Sequence, residues 1–307
     1  MNILIYGIGG VGGYFGGKLT KTKNHVTFIA RGKHLEAIQK NGLEVTSYKG
    51  DFVAEPDLAT DDLNEIPTSN LVILGVKSWQ VPETIEALKP YVNAETLFLP
   101  LQNGASNAEK ILEVLPDAQV LGGLCRIVAF KDGPGKIKHP TFEPSITFGE
   151  LDGSLSERAK ELQALFEEAG FTAHLVKDIQ VEIWKKFLFI CTISGIGGLT
   201  RVPMGKIRSS AYLFKMMQDT AQEIFNVAKA KGIALTEKHM KSVFEAIQNQ
   251  GAEVTASTQR DIMEGKPSEL NNFNGYIVRE GKRLGVSVPV NEMIFECLLP
   301  MEKEARS

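Results

Sequence analysis

The chain alternates short apolar runs with amphipathic stretches through its first half, then changes to helical periodicity. Asn2 to Tyr6 is an apolar run of the buried-strand type, and His25 to Ala30, Leu71 to Leu74 and Thr96 to Leu101 read as further strands. Between them, His34 to Lys40, Val81 to Leu88 and Ala105 to Leu115 carry helical spacing. Strands that are apolar throughout, with helices between them, predict a parallel sheet covered on both faces. From Val120 to Phe148 the texture becomes short extended segments, broken by Asp132-Gly133-Pro134-Gly135 and by prolines. This predicts an antiparallel extension, closed by a helix over Ser154 to Ala169. From Ile179 onward strand signals almost vanish, and Tyr212 to Lys231, Glu237 to Gln250 and Leu270 to Leu284 read as helices. Asp178 is a residue type suited to capping the first helix of this half. The boundary falls at about Asp178, giving domains 1–178 and 179–307.

The first strand runs into Gly7-Ile8-Gly9-Gly10-Val11-Gly12, with a helix-compatible stretch following through Leu19. Between a strand and a helix this spacing has a physical meaning. Gly7 permits the tight turn, Gly9 lets a pyrophosphate approach the backbone, and Gly12 lets the helix pack against the strand. The free amides and positive dipole end of the helix, from Ile8 to Gly12, then face the phosphates. The fold class expected is α/β, a Rossmann-type doubly wound sheet followed by an all-helical C-terminal domain. Ligands of such sheets lie beyond the carboxyl ends of the strands.

Composition removes several alternatives. A formal net charge of -3 leaves no basic footprint for nucleic acid. No apolar run is expected to reach membrane-spanning length, and with a strand starting at Asn2 no signal peptide is expected. Cys125, Cys191 and Cys297 are odd in number and widely spaced, so neither a disulfide framework nor a Cys-x-x-Cys site is expected. The histidines show no ligand spacing. A reduced, cytoplasmic, metal-free protein follows, with a homodimer plausible from the apolar surface of the helical half.

The residue closing the second strand selects the dinucleotide, because an acid there hydrogen-bonds the ribose hydroxyls of NAD. Arg31 stands at that position, followed by Gly32-Lys33-His34, with no adjacent acid. A guanidinium attracts the additional phosphate of NADP. Lys77, just past the fourth strand, adds a second positive charge, and NADP is the cofactor expected.

On these residues the chain resembles the ketopantoate reductase family (2-dehydropantoate 2-reductases). The resemblance spans essentially the whole length. It rests on Gly7-Ile8-Gly9-Gly10-Val11-Gly12, Arg31, Val76-Lys77-Ser78-Trp79-Gln80 and Gln102-Asn103-Gly104. In the second half it rests on Trp184-Lys185-Lys186, Ser257, Asp261 and Glu269. It implies a two-domain enzyme that reduces ketopantoate to pantoate with NADPH, for pantothenate and coenzyme A. Hydride delivery to a ketone builds negative charge on oxygen, so a proton donor or cation belongs beside it. Periodicity leaves Lys185 and Lys186 equivalent; the resemblance selects Lys186. It also implies that Glu269 orients that lysine, that Asn103 lies beside the nicotinamide, and that Ser257 holds the substrate carboxylate. Read without it, Glu269 is a charge at a helix start, and Asn103-Gly104 is a common turn pair.

The match departs at one place. The family typically carries substrate-binding asparagines four and eight residues after the lysine, where this chain has Ile190 and Ser194. Thr192, Asn271 or Asn272 would then supply the missing contact, or the substrate is a different 2-keto acid. Ser194-Gly195-Ile196-Gly197-Gly198 is also glycine-rich for a continuing helix, so the register after Lys186 is open. A protein that binds NADP without turnover is the reading from a different functional class.

Overall fold

A computed structural model describes residues 1–307. The chain divides into two compact units, Met1–Ile179 and Gln180–Ser307.

The first unit runs β1 (Asn2–Tyr6), α1 (Gly10–Leu19), β2 (His25–Ile29), α2 (Gly32–Asn41), β3 (Leu43–Ser47), β4 (Phe52–Ala54) and β5 (Leu58–Thr60). It continues with β6 (Leu71–Leu74), α3 (Val81–Leu88), β7 (Leu97–Pro100), α4 (Asn107–Val114), β8 (Gln119–Lys131), β9 (Lys136–Glu150), α5 (Glu157–Glu168) and β10 (Thr172–Leu175). Six strands pair in parallel in the order β5-β2-β1-β6-β7-β8. Taken in chain order, that is the 3-2-1-4-5-6 arrangement of a dinucleotide-binding sheet. Alternate residues of β1 enter opposite layers: Ile3 and Ile5 join one apolar core with Phe15 and Phe28, while Leu4 and Tyr6 join another with Val72 and Ile85. Both faces are therefore buried, which is why these strands read as continuous apolar runs.

Beyond its first residues β8 leaves the parallel sheet and pairs antiparallel with β9, which also carries β3 and β10. The segment expected as several short pieces is thus one long hairpin. Pro140 and Pro144 lie inside β9, and the ladder with β8 shifts register twice, between Arg126 and Val128 and between Val128 and Phe130. Bulges of this kind admit prolines without ending a strand. The strands β3, β4, β5 and β10 were not expected from the sequence pattern. Each has three to five residues, most with half-exposed positions, too little for a periodic signal.

The second unit is helical: α6 (Ile179–Thr200), α7 (Met204–Ser209), α8 (Ala211–Ala230), α9 (Glu237–Gln248), α10 (Ser257–Met263), α11 (Asn274–Leu284) and α12 (Pro289–Arg306). The segment expected as one helix from Leu270 splits into a 3-10 turn, Leu270–Asn272, and α11, separated by Phe273 at φ -104° and ψ -97°. Trp184 and Phe187 of α6 meet Phe273 and Tyr276 edge-on or tilted. The start of α12 is held by Glu223 of α8, whose carboxylate accepts from the backbone of Val290 and Asn291, each at 2.9 Å. An anion at that position also matches the helix dipole.

Helix α6 corrects the expectation about membrane-length segments. Its 22 residues have a mean hydropathy of 1.2 over the best window, long and apolar enough to span a bilayer. Yet 67% of that window is buried inside the protein, which identifies a core helix. The glycines within it do not break it. A Cβ on Gly195 would approach Asn274 to 2.9 Å, one on Gly197 would reach Gln259 at 2.5 Å, and one on Gly198 would reach Ile262 at 2.9 Å. The missing side chains let α10 and α11 lie close against α6.

Candidate functional site

The turn after β1 is built by three different demands on glycine. Gly7 adopts φ +98°, a conformation that L side chains rarely take. At Gly12 an added Cβ would stand 2.1 Å from the Gly7 carbonyl oxygen, so the helix fits only without one. Gly75, after β6, closes the same contact from the other side at 2.6 Å. At Gly9 a Cβ would meet nothing within 4 Å. Gly10 lies against the backbone of Ala129 on β8, where a Cβ would come within 2.1 Å of a carbonyl oxygen. Ile8 is buried and Val11 half-buried. The N-terminus of α1 has no side-chain cap and no acid in its first turn. Such a helix start is chemically suited to an anionic group.

At the carboxyl end of β2, Arg31 is exposed in extended conformation as the residue preceding α2, and Lys33 is exposed two positions on. Lys77 follows β6, exposed, with its ammonium 5.5 Å from the centre of the Trp79 ring. Asn103 follows β7 and is half-buried, ahead of Gly104 at φ +120°. A polar network fixes this edge. Ser78 donates to Asn107 Oδ1 at 2.6 Å, Lys110 donates to Ser78 Oγ at 2.8 Å, and Asn107 donates to the carbonyls of Gln102 and Asn103 at 3.0 and 3.3 Å. The loops after β6 and β7 are tied together there. Beside them the Gln102 amide is buried, and neither of its polar atoms has a partner. Asn107 and Lys110 were not singled out by the sequence, and Ser78 entered only within a motif, because the bonds that join them span 29 and 32 residues.

In the helical unit, Lys186 is half-buried on α6 between the buried Trp184 and Phe187. Its neighbour Lys185 is committed along the same helix to Glu182, Nζ to Oε1 at 2.7 Å. Ile190 is half-buried one turn beyond Lys186, and Ser194 is buried two turns beyond. Thr192 is fully buried and its hydroxyl has no partner. Ser257 is exposed at the first position of α10, and Asp261 lies one turn along. Glu269 is buried, precedes the turn Leu270–Asn272, and accepts from Asn272 Nδ2 at 3.2 Å. That turn is anchored by the adjacent Ser268, whose backbone amide and hydroxyl donate to the buried Glu302 of α12. Arg306 completes the anchor, donating to Glu302 at 2.6 Å and to the Ser268 carbonyl at 3.0 Å.

Comparison with known proteins places the chain in one lineage. The profile described as "Ketopantoate reductase PanE/ApbA" matches residues 3–153, and its C-terminal counterpart matches residues 178–302. A Bacillus subtilis protein named "Uncharacterized oxidoreductase YkpB" is 31% identical over 304 residues, covering 99% of this chain and 100% of that protein. A Nostoc protein named 2-dehydropantoate 2-reductase is 27% identical over 290 residues, covering 93% of this chain and 90% of that protein. Among solved structures, a PanE/ApbA family ketopantoate reductase from Ralstonia eutropha superposes with a TM-score of 0.91 at 27% identity, over 100% of both chains. With both parts of the profile matched in order over the Rossmann-type sheet and the helical region, the chain belongs to the ketopantoate reductase family and is an oxidoreductase of 2-keto acids.

Proposed function

We propose that the protein is a 2-dehydropantoate 2-reductase, reducing ketopantoate to pantoate with NADPH in pantothenate and coenzyme A biosynthesis. The observation that carries the cofactor reading is the pairing of open space at Gly9 with an uncapped, acid-free start of α1. A dinucleotide pyrophosphate fits that chemistry, and the partnerless Gln102 amide at the end of β7 is a polar group suited to a bound partner. In this reading Gly7, Ile8, Gly9, Gly10, Val11 and Gly12 form the phosphate cradle. Arg31 holds the additional phosphate of NADPH, Lys77 adds positive charge, and Asn103 orients the nicotinamide amide and the substrate. Arg31 and Lys33 with no acid beside them favour NADP over NAD.

Bound NADPH supplies the hydride to the keto carbon. Lys186 donates the proton that the developing alkoxide requires, so the ketone gains one hydride and one proton to become the 2-hydroxy acid. Glu269 orients Lys186, and Ser257 binds the substrate carboxylate with Ser194 contributing along α6. A cytoplasmic location and a homodimer belong to the same proposal. The exposed Tyr212, Met263 and Met293 of the helical half supply apolar surface for the dimer.

One observation favours a second reading, reduction of another small 2-keto acid. Ile190 has no hydrogen-bonding group where the family has an asparagine, and Asn272, a candidate replacement, is already bonded to Glu269. A site that pairs a substrate hydroxyl discriminates strongly against analogues lacking it. The test is kcat/KM for ketopantoate beside 2-keto acids of similar size without the hydroxyl. Preference for ketopantoate by about a hundredfold or more supports the first reading. Preference for a hydroxyl-free acid replaces it with the second.

A further inference from the structure

His34 joins three parts of the first unit that are distant in sequence. It stands in the first turn of α2, three residues after Arg31, and is buried. The backbone amide of Gly135 donates to its Nδ1 at 2.9 Å, and its Nε2 lies 2.8 Å from the carbonyl of Ile8. A backbone amide only donates and a carbonyl only accepts. The ring is therefore the neutral tautomer with its proton on Nε2, donating to Ile8. Burial holds the imidazole below the ordinary histidine range; the bond to Ile8 works against this and the charge of Lys131 reinforces it.

The two bonds place His34 between the glycine turn and the tip of the β8–β9 hairpin. That hairpin is also the wall behind the turn, because Gly10 packs on the backbone of Ala129 and Gly13 on Ile137. Gly135 itself has φ +69° and lies against Ala37 of α2. Ile8 is the residue whose carbonyl orientation fixes the peptide planes leading to Gly9. We infer that His34 is a positioning residue for dinucleotide binding, setting the spacing between the phosphate cradle at Gly7–Gly12 and the Arg31 anchor by tying Ile8, α2 and Gly135 together. The inference rests on the reading of the turn as a dinucleotide site. His34 itself touches no substrate or cofactor atom in this account.

The test is an equilibrium titration of NADPH and of NADH into the free protein, following protein fluorescence, for wild type, His34→Ala, His34→Gln and Arg31→Ala. Melting temperatures of the unliganded proteins and amide exchange at Ile8–Val11 and Gly135 are recorded alongside. His34→Ala is expected to weaken both dinucleotides by about tenfold, the scale of losing two ordinary hydrogen bonds, and to raise exchange at Gly135 and in the turn. His34→Gln, which carries one donor and one acceptor, is expected to recover part of the affinity. Arg31→Ala is expected to weaken NADPH alone, which separates loss of the anchor from loss of spacing. Unchanged dinucleotide affinity in His34→Ala, with only a lower melting temperature, would overturn the inference and leave His34 as a packing residue. If wild type binds neither dinucleotide, the dinucleotide reading itself fails, and this inference with it. The wild-type and variant titrations therefore tell the two failures apart.

Discussion

Two stretches of this chain are rich in glycine, and they use it for opposite ends. In Gly7–Gly12, Gly7 supplies a turn at positive φ, Gly10 and Gly12 permit close backbone contacts, and Gly9 faces open space. In Ser194–Gly198 no glycine takes a positive φ, and each would collide with a side chain of a neighbouring helix. The first stretch leaves open space at Gly9 beside tight backbone contacts; the second removes side chains to admit Gln259, Asn274 and Ile262. Composition alone does not separate these cases. What separates them is the space beside each Cα, and substitutions to alanine read that space directly.

Gly12→Ala breaks the first stretch most severely, since its Cβ would meet a backbone oxygen at 2.1 Å with no flexible atom to yield. It is expected to lose dinucleotide binding by more than about a hundredfold and to lower the melting temperature, because helix and strand must separate, an overpacking cost of about 1–3 kcal/mol or more. Gly9→Ala is expected to weaken binding by about tenfold or more at an unchanged melting temperature of the free protein. Its φ of -88° suits any L residue and its Cβ meets no protein atom within 4 Å. A lower melting temperature in Gly9→Ala would erase the distinction drawn between these two glycines. Gly197→Ala should do the reverse. Its Cβ presses on the buried Gln259 amide, which donates to the Val202 carbonyl and accepts from the Ala256 amide. A loss of about 1–3 kcal/mol, read as a lower melting temperature with dinucleotide affinity unchanged, is the outcome expected.

The smallest effect expected concerns pH. His34 has its folded value lowered by burial, so between that value and the unfolded one, about 6.5, the unfolded chain binds more protons. Its contribution to stability is complete above about pH 6.5 and is lost as pH falls through the folded value. The melting-temperature advantage of wild type over His34→Gln should therefore shrink on acidification. An advantage that stays constant with pH would mean that His34 does not titrate in this range.

The parts of the molecule legible in sequence are those whose partners are near in the chain. β1, the glycine turn and α1 form one local unit, and Arg31 follows β2 directly, so spacing alone identified them. Strands β3, β4, β5 and β10 were illegible because short, half-exposed segments carry no period of their own. His34 was invisible for a different reason: its bonds reach 26 residues back to Ile8 and 101 residues ahead to Gly135. The anchor of the Glu269 turn depends likewise on Glu302, 34 residues beyond Ser268. The glycines of α6 were visible but uninterpretable, since only the packing of α10 and α11 explains them. Lys185 and Lys186 could not be separated by periodicity, because adjacent positions on one helix share similar apolar neighbours.

In the proposed reaction this family member reduces a 2-keto acid with NADPH through Lys186. Its most direct test is the loss of NADPH absorbance with purified protein and ketopantoate, run with NADH in parallel and repeated with Lys186→Ala. Rapid oxidation of NADPH, slower oxidation of NADH, and a fall in kcat of about 10²–10⁴ in the variant at unchanged NADPH affinity are expected. Near-normal turnover by Lys186→Ala, or no oxidation of NADPH with ketopantoate or any other 2-keto acid, would contradict it.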